Sequence, residues 1–220
     1  MSFSPLKVTF HLDGTGVYFD PAEPLHLDAL LVFAAAAHHG STGELSREEL
    51  PKDIPIPVAK WRVGSVWGWS ASALFPDGQT AESLQFWRKK FRQNRVELTA
   101  GSPNLTNATF REYNMPMPLV LCHTMVAWCL GDRRNIRHEL IRSVRHLGKK
   151  AAMGKGAVND ITVERVEEDW SLVRAGSAQR WLPSPQGARL CRARPPYWNN
   201  VERSLMCEVG EPYDLENLTR

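Results

Sequence analysis

HLGKKAAMGKGAV, residues 146–158, and the basic segment leading into it decide the reading of this chain. Asp132 reads as the N-cap of a helix running from Arg133 to Leu147. Ile136, Leu140, Val144 and Leu147 recur at the 3.6-residue period and make one apolar stripe. Arg134, His138, Arg142 and Arg145 recur at nearly the same spacing on the opposite side, within an arc of roughly 80°. Gly148 falls at C′, where a positive φ costs least for glycine. Lys149, Lys150 and Lys155 then thread between Gly148, Gly154 and Gly156. A permissive backbone carrying three ammonium groups, fed by an arginine face, suits close contact with phosphates and points to nucleic acid.

The surrounding composition agrees with a soluble globular chain. Of 220 residues, 43% are hydrophobic and 23% charged, and the net charge is only +3. The distribution is more telling than the total. From Arg133 to Lys155 eight Lys/Arg face one acid, Glu139, the pattern of a polyanion-binding surface; a solvated helix face would read the same way. Cys122, Cys129, Cys191 and Cys207 show neither C-x-x-C pairing nor metal-ligand spacing, so reduced thiols in a cytoplasmic protein are expected, with no metal and no cofactor. The longest apolar run, Leu25 to Ala37, includes His26 and Asp28 and is too short for a bilayer, so no membrane partner is expected.

Working outward, Leu6, Val8, Phe10 and Leu12 alternate with polar residues as a half-buried strand, ended by the turn Asp13-Gly14-Thr15-Gly16. Leu27 to His38 reads as a helix whose alanines allow close packing. Trp61 to Ala73 reads as one or two strands, Leu119 to Leu130 as a strand-like run, and Val158 to Val166 as another strand. The order is that of an α+β fold with a ferredoxin-like (RRM-like) βαββαβ core, the glycine-rich loop joining its second helix to its last strand. Between the middle strands an inserted region is expected at about residues 74–118, and residues 171–220 form a C-terminal extension packed on the 1–170 domain. Inside the insertion, Trp87, Arg88, Lys89, Lys90, Phe91, Arg92 and Arg95 interleave aromatics with bases. Trp87 and Phe91 are candidates for base stacking, whereas Trp61, Trp67, Trp69 and Trp128 are assigned to the core.

The helix, Leu147-Gly148-Lys149-Lys150, Gly154-Lys155-Gly156, Trp170 and the late Arg194-Pro195-Pro196-Tyr197-Trp198 resemble the RAMP superfamily of CRISPR-associated proteins. Within it, they resemble the small 5′-handle-binding subunit of type IV CRISPR effector complexes. The resemblance implies a noncatalytic subunit that grips the 5′ repeat-derived handle of a CRISPR RNA. It would cap a filament of backbone RAMP subunits, adjoin the large subunit and help the guide pair with target DNA. The glycine-loop positions carried over are Gly148, Lys149, Lys150, Gly154, Lys155 and Gly156, and the Arg88–Arg95 segment corresponds to a thumb-like element. Lys155 stands where an aromatic is common in that family, which favours a phosphate contact there.

Two rival readings remain open on the sequence. Relatives in the superfamily cut CRISPR RNA without metal, using a histidine to help a ribose 2′-OH attack the adjacent phosphate, and His38 and His39 lie where such a residue is often found. A free-standing RNA-binding protein is the other. The loop is not a P-loop, because the Gly-Lys-Ser/Thr ending is missing. No catalytic residue is expected.

Overall fold

A computed structural model describes residues 3–38, 49–90 and 112–215. The alternating Leu6, Val8, Phe10 and Leu12 form strand β1, Ser4–Leu12, and all four are buried. β1 is central in a four-stranded antiparallel sheet of order β5-β8-β1-β9, where β5 is Phe75–Asp77, β8 is Thr124–Gly131 and β9 is Val158–Arg165. Leu6 lies opposite Cys129, Val8 opposite Ala127 and Val163, and Phe10 opposite Met125 and Ile161. This face packs against helices α1, Leu27–His38, and α2, Arg133–Ser143, to form the main core.

The remaining strands lie in four smaller sheets. β2, Val17–Tyr18, pairs with β7, Tyr113–Leu121, which pairs in turn with β6, Ala81–Lys89. β3, Lys60–Val63, and β4, Val66–Trp69, make a hairpin. β10, Val173–Arg174, pairs with β11, Ser177–Ala178. β12, Leu182–Pro183, and β13, Arg189–Arg192, flank β14, Arg203–Cys207.

This architecture corrects the expected compact ferredoxin-like (RRM-like) βαββαβ core. Among the described residues 45% are strand and 14% helix, arranged as five mostly antiparallel sheets with two α-helices. The physical reason is that the apolar surface is divided among several cores. Trp61, Leu172, Trp181, Leu182, Cys191 and Met206 build a second cluster, and Tyr18, Met117 and Leu119 a third. A two-layer unit organised round one core leaves no place for these.

Two local boundaries also differ. The run from Leu119 to Leu130 is divided at Cys122–His123: β7 and β8 enter different sheets, and the His123 carbonyl accepts from the Leu12 N–H at 2.8 Å. The second helix stops at Ser143 rather than Leu147. Asp132 caps its start, accepting from the Asn135 N–H at 2.9 Å. Val144 is already extended, because the following backbone pairs elsewhere: His146 with Ala157, and Lys149 with Tyr18. Gly148 is therefore a loop residue rather than the helix C′. The apolar stripe still holds, since Ile136, Leu140, Val144 and Leu147 are all buried.

The C-terminal strands are tied to α1 by a buried polar network. Arg180 and Asp28, both fully buried, pair at 3.1 Å. The Tyr197 hydroxyl donates to Asp28 at 2.7 Å, and the Arg180 guanidinium donates to the carbonyls of Ala71 and Ala193. Burial raises the Asp28 carboxyl against the opposing pull of Arg180 and Tyr197. Such a group is retained in a core only when fully paired, as here. All four cysteines are buried free thiols, and burial pushes Cys191 up to about 11.

Candidate nucleic-acid interface

The helix α2 turns its apolar stripe inward, so its other residues face out. Arg134, His138 and Arg142 are exposed there, as the spacing predicts, and so is Arg145, two residues past the helix end. They line one open groove of about 1460 Å³ together with Arg133, Arg137 and Ile141 of the same helix and Arg165 of β9. Arg133 reaches the sheet edge, donating from Nε to the Val163 carbonyl at 2.7 Å. Spacing alone missed Arg133 and Arg137 because they fall outside the narrow arc first drawn. Arg165 is distant in sequence and is brought in by the β1–β9 pairing. Among the described residues no carboxylate pairs with Arg134, Arg142 or Arg145. The one nearby acid of the helix, Glu139, is turned to His38, at 3.2 Å.

At the end of α2 the groove adjoins the glycine loop. Arg145 belongs to both: it lines the groove, and its carbonyl accepts from the Val158 N–H where the loop exits. The loop is built on the β1–β2 turn. Lys149 N–H donates to the Tyr18 carbonyl at 2.9 Å, and Gly156 N–H to the Gly16 carbonyl at 2.8 Å. Gly148 and Gly156 are required by close approach as well as positive φ: a Cβ would lie 2.5 Å from the Tyr18 oxygen and 2.1 Å from the Leu147 oxygen, respectively. Gly154, also at positive φ, faces open space.

The three lysines take different positions. Lys149 is exposed. Lys150, at φ 63°, extends over the Trp87 ring with Nζ 4.4 Å from its centroid. Lys155 donates to the Thr15 carbonyl at 2.8 Å and so staples the loop to the turn. The structure thus joins two patches that lie apart in sequence, the glycine loop and the aromatic–basic strand β6. Trp87 packs on Tyr18, Met117 and Leu119, and its indole N–H donates to the Tyr113 hydroxyl. Tyr18 in turn donates to Gln85. Arg88 is exposed, bonded to Asn114 Oδ1 at 3.0 Å and lying over Phe86. Lys89 ends β6 and Lys90 follows it, exposed. Phe91, Arg92 and Arg95 lie outside the described residues, as does His39.

The late Arg194–Trp198 motif is mainly an anchor. Arg194 pairs with Asp53 at 2.8 Å and with Glu202, and its guanidinium sits 4.0 Å from the Trp67 centroid. Tyr197 closes the buried network, while Trp198 is exposed. Among the described residues no His/Cys/Asp/Glu group could hold a metal ion, and no helix is long and apolar enough to cross a membrane.

Fold and surface together define a β-rich protein whose basic side chains gather on one helix and the loop after it. The family of CRISPR type IV associated protein Csf3 matches residues 4–112 and 104–209, and the chain belongs to that family. It is thereby a component of a type IV CRISPR complex. No curated protein matches the chain.

Proposed function

We propose that this chain is the noncatalytic subunit that grips the 5′ repeat-derived handle of the CRISPR RNA in a type IV effector complex. In this role, of the RAMP kind, it caps the filament of backbone subunits beside the large subunit. The observation that carries the reading is the α2 groove, lined by six arginines and His138. Arg133 and Arg134 occupy the first turn of α2, where the one acid is the N-cap Asp132, which also lines the groove. One capping carboxylate does not offset six arginines, and among the described residues Arg134, Arg142 and Arg145 have no carboxylate partner to explain their gathering there. An anionic partner would explain it. The adjoining loop offers Lys149 and Lys150, the latter held over Trp87, which suits phosphate contact.

A nuclease reading has one specific observation behind it, the His38–Glu139 pair, with His138 4.0 Å from the same carboxylate. Its geometry argues against catalysis. The other ring nitrogen of His38 is buried without a partner among the described residues, so it does not face a ribose hydroxyl. The test mixes purified protein with labelled CRISPR RNA and a scrambled control, without metal, and follows binding and RNA length together. Handle-dependent retention of uncut RNA supports the proposal. Specific shortening of the RNA overturns it, and equal binding to both RNAs favours a general RNA-binding module.

A further inference from the structure

The opposite face of the four-stranded sheet carries a second pocket that the α2 groove and the glycine loop do not use. Lys7 of β1 lies opposite Trp128 of β8, on the face turned away from the two helices, and Phe75 of β5 lies opposite Val126 on the same face. Trp170 and Arg174, which follow β9 in the chain, complete a pocket of about 320 Å³. That volume is at the small end of the ~300–1,000 Å³ typical of small-molecule sites.

Its walls are aromatic and its rim is charged. Trp128 and Trp170 meet edge-on with centroids 5.5 Å apart, and Phe75 lies 5.9 Å from Trp128. The Arg174 guanidinium sits 4.0 Å from the Trp170 centroid and 5.2 Å from that of Trp128. Lys7 and Asp77 stand together at 3.6 Å, both partly exposed. Trp128 is only 5% exposed, and its indole N–H is buried with no acceptor among the described residues. That nitrogen has no accessible surface, so the Trp128 ring backs the wall rather than offering a donor to a ligand.

We propose that this pocket takes one unpaired base of a bound single-stranded nucleic acid. The inference rests on the nucleic-acid-binding reading above and names a contact beyond it. The partly exposed rings of Trp170 and Phe75 offer π-surface for stacking, and the Asp77 carboxylate can accept from an exocyclic amine, as a nucleobase requires. Arg174 and Lys7 supply charge for the flanking phosphates. The same two cations oppose a cationic ligand, which aromatic walls would otherwise attract. Guide RNA and target DNA both present such a base.

The test labels the full chain with 5-fluorotryptophan and assigns the two resonances with Trp128→Phe and Trp170→Phe. Single-stranded RNA, single-stranded DNA and an abasic oligonucleotide of equal length are titrated in turn, with binding followed separately by gel retardation. The proposal expects base-bearing strands to shift the Trp128 and Trp170 resonances, while the abasic strand leaves them in place. A shift with RNA alone assigns the guide, and a shift with DNA alone assigns the target. Arg174→Gln should move the midpoint of that shift about tenfold. Lys149→Ala with Lys150→Ala should weaken retardation yet leave the shift at saturation. Retarded oligonucleotide with unmoved resonances overturns this pocket and leaves the wider reading standing, whereas absence of retardation overturns both. Movement on adding the complex's protein subunits without nucleic acid assigns the pocket to a partner side chain and overturns the proposal.

Discussion

Asp28, Arg180 and Tyr197 illustrate how single residues bind distant parts of this chain. Asp28→Ala leaves the Arg180 guanidinium buried without its counter-charge. The loss is expected at about 3–5 kcal/mol, read as a lower denaturation midpoint. His26 lies against Trp181 and Tyr197 with both ring nitrogens unpartnered among the described residues. Burial first, and then the Arg180 charge, hold its pKa well below the usual histidine value. The unfolded chain therefore binds a proton that the folded chain refuses. This contribution to stability is complete above a pH of about 6.5 and is lost as pH falls toward the folded value. Denaturation midpoints between neutral and mildly acidic pH should decline less in His26→Phe than in the parent. Equal decline would show that His26 does not titrate as its burial requires.

At the scale of elements, β1 and the start of α2 could be read from the sequence because each is strongly periodic, and α1 because its leucines and alanines are strong helix formers. Asp132 as N-cap and the stripe Ile136, Leu140, Val144 and Leu147 were legible for the same reason. The end of α2 was not, because backbone pairing of His146 and Lys149 with other segments decides it. The loop itself separates two kinds of glycine. Gly156→Ala is expected to cost at least about 1–3 kcal/mol in backbone strain, and it also displaces the Leu147 carbonyl. Gly154→Ala, with open space about it, should cost only about 1–2 kcal/mol for its positive φ. Comparing the two unfolding midpoints checks this. Lys155→Ala should lower the unfolding midpoint by detaching the loop from Thr15, with little effect on the salt dependence of RNA binding. A large change in salt dependence would restore Lys155 as a phosphate contact.

Across the whole molecule, the division into several cores was hidden because β10, β11 and β12 are two residues each, too short for any period to show. Trp61 was legible as core, but its place in the second cluster depends on the C-terminal strands it meets. The candidate interface was half legible. Arg134, His138, Arg142 and Arg145 declared themselves by spacing, whereas Arg165 and the Lys150–Trp87 contact exist only through pairing of remote strands. The central claim is that the α2 groove holds RNA phosphates. The most direct measurement is affinity for handle-bearing CRISPR RNA against salt concentration, in the parent and in Arg134→Gln/Arg142→Gln/Arg145→Gln. Losing three phosphate contacts should reduce the slope by about two units. An unchanged slope in the folded variant would contradict the claim.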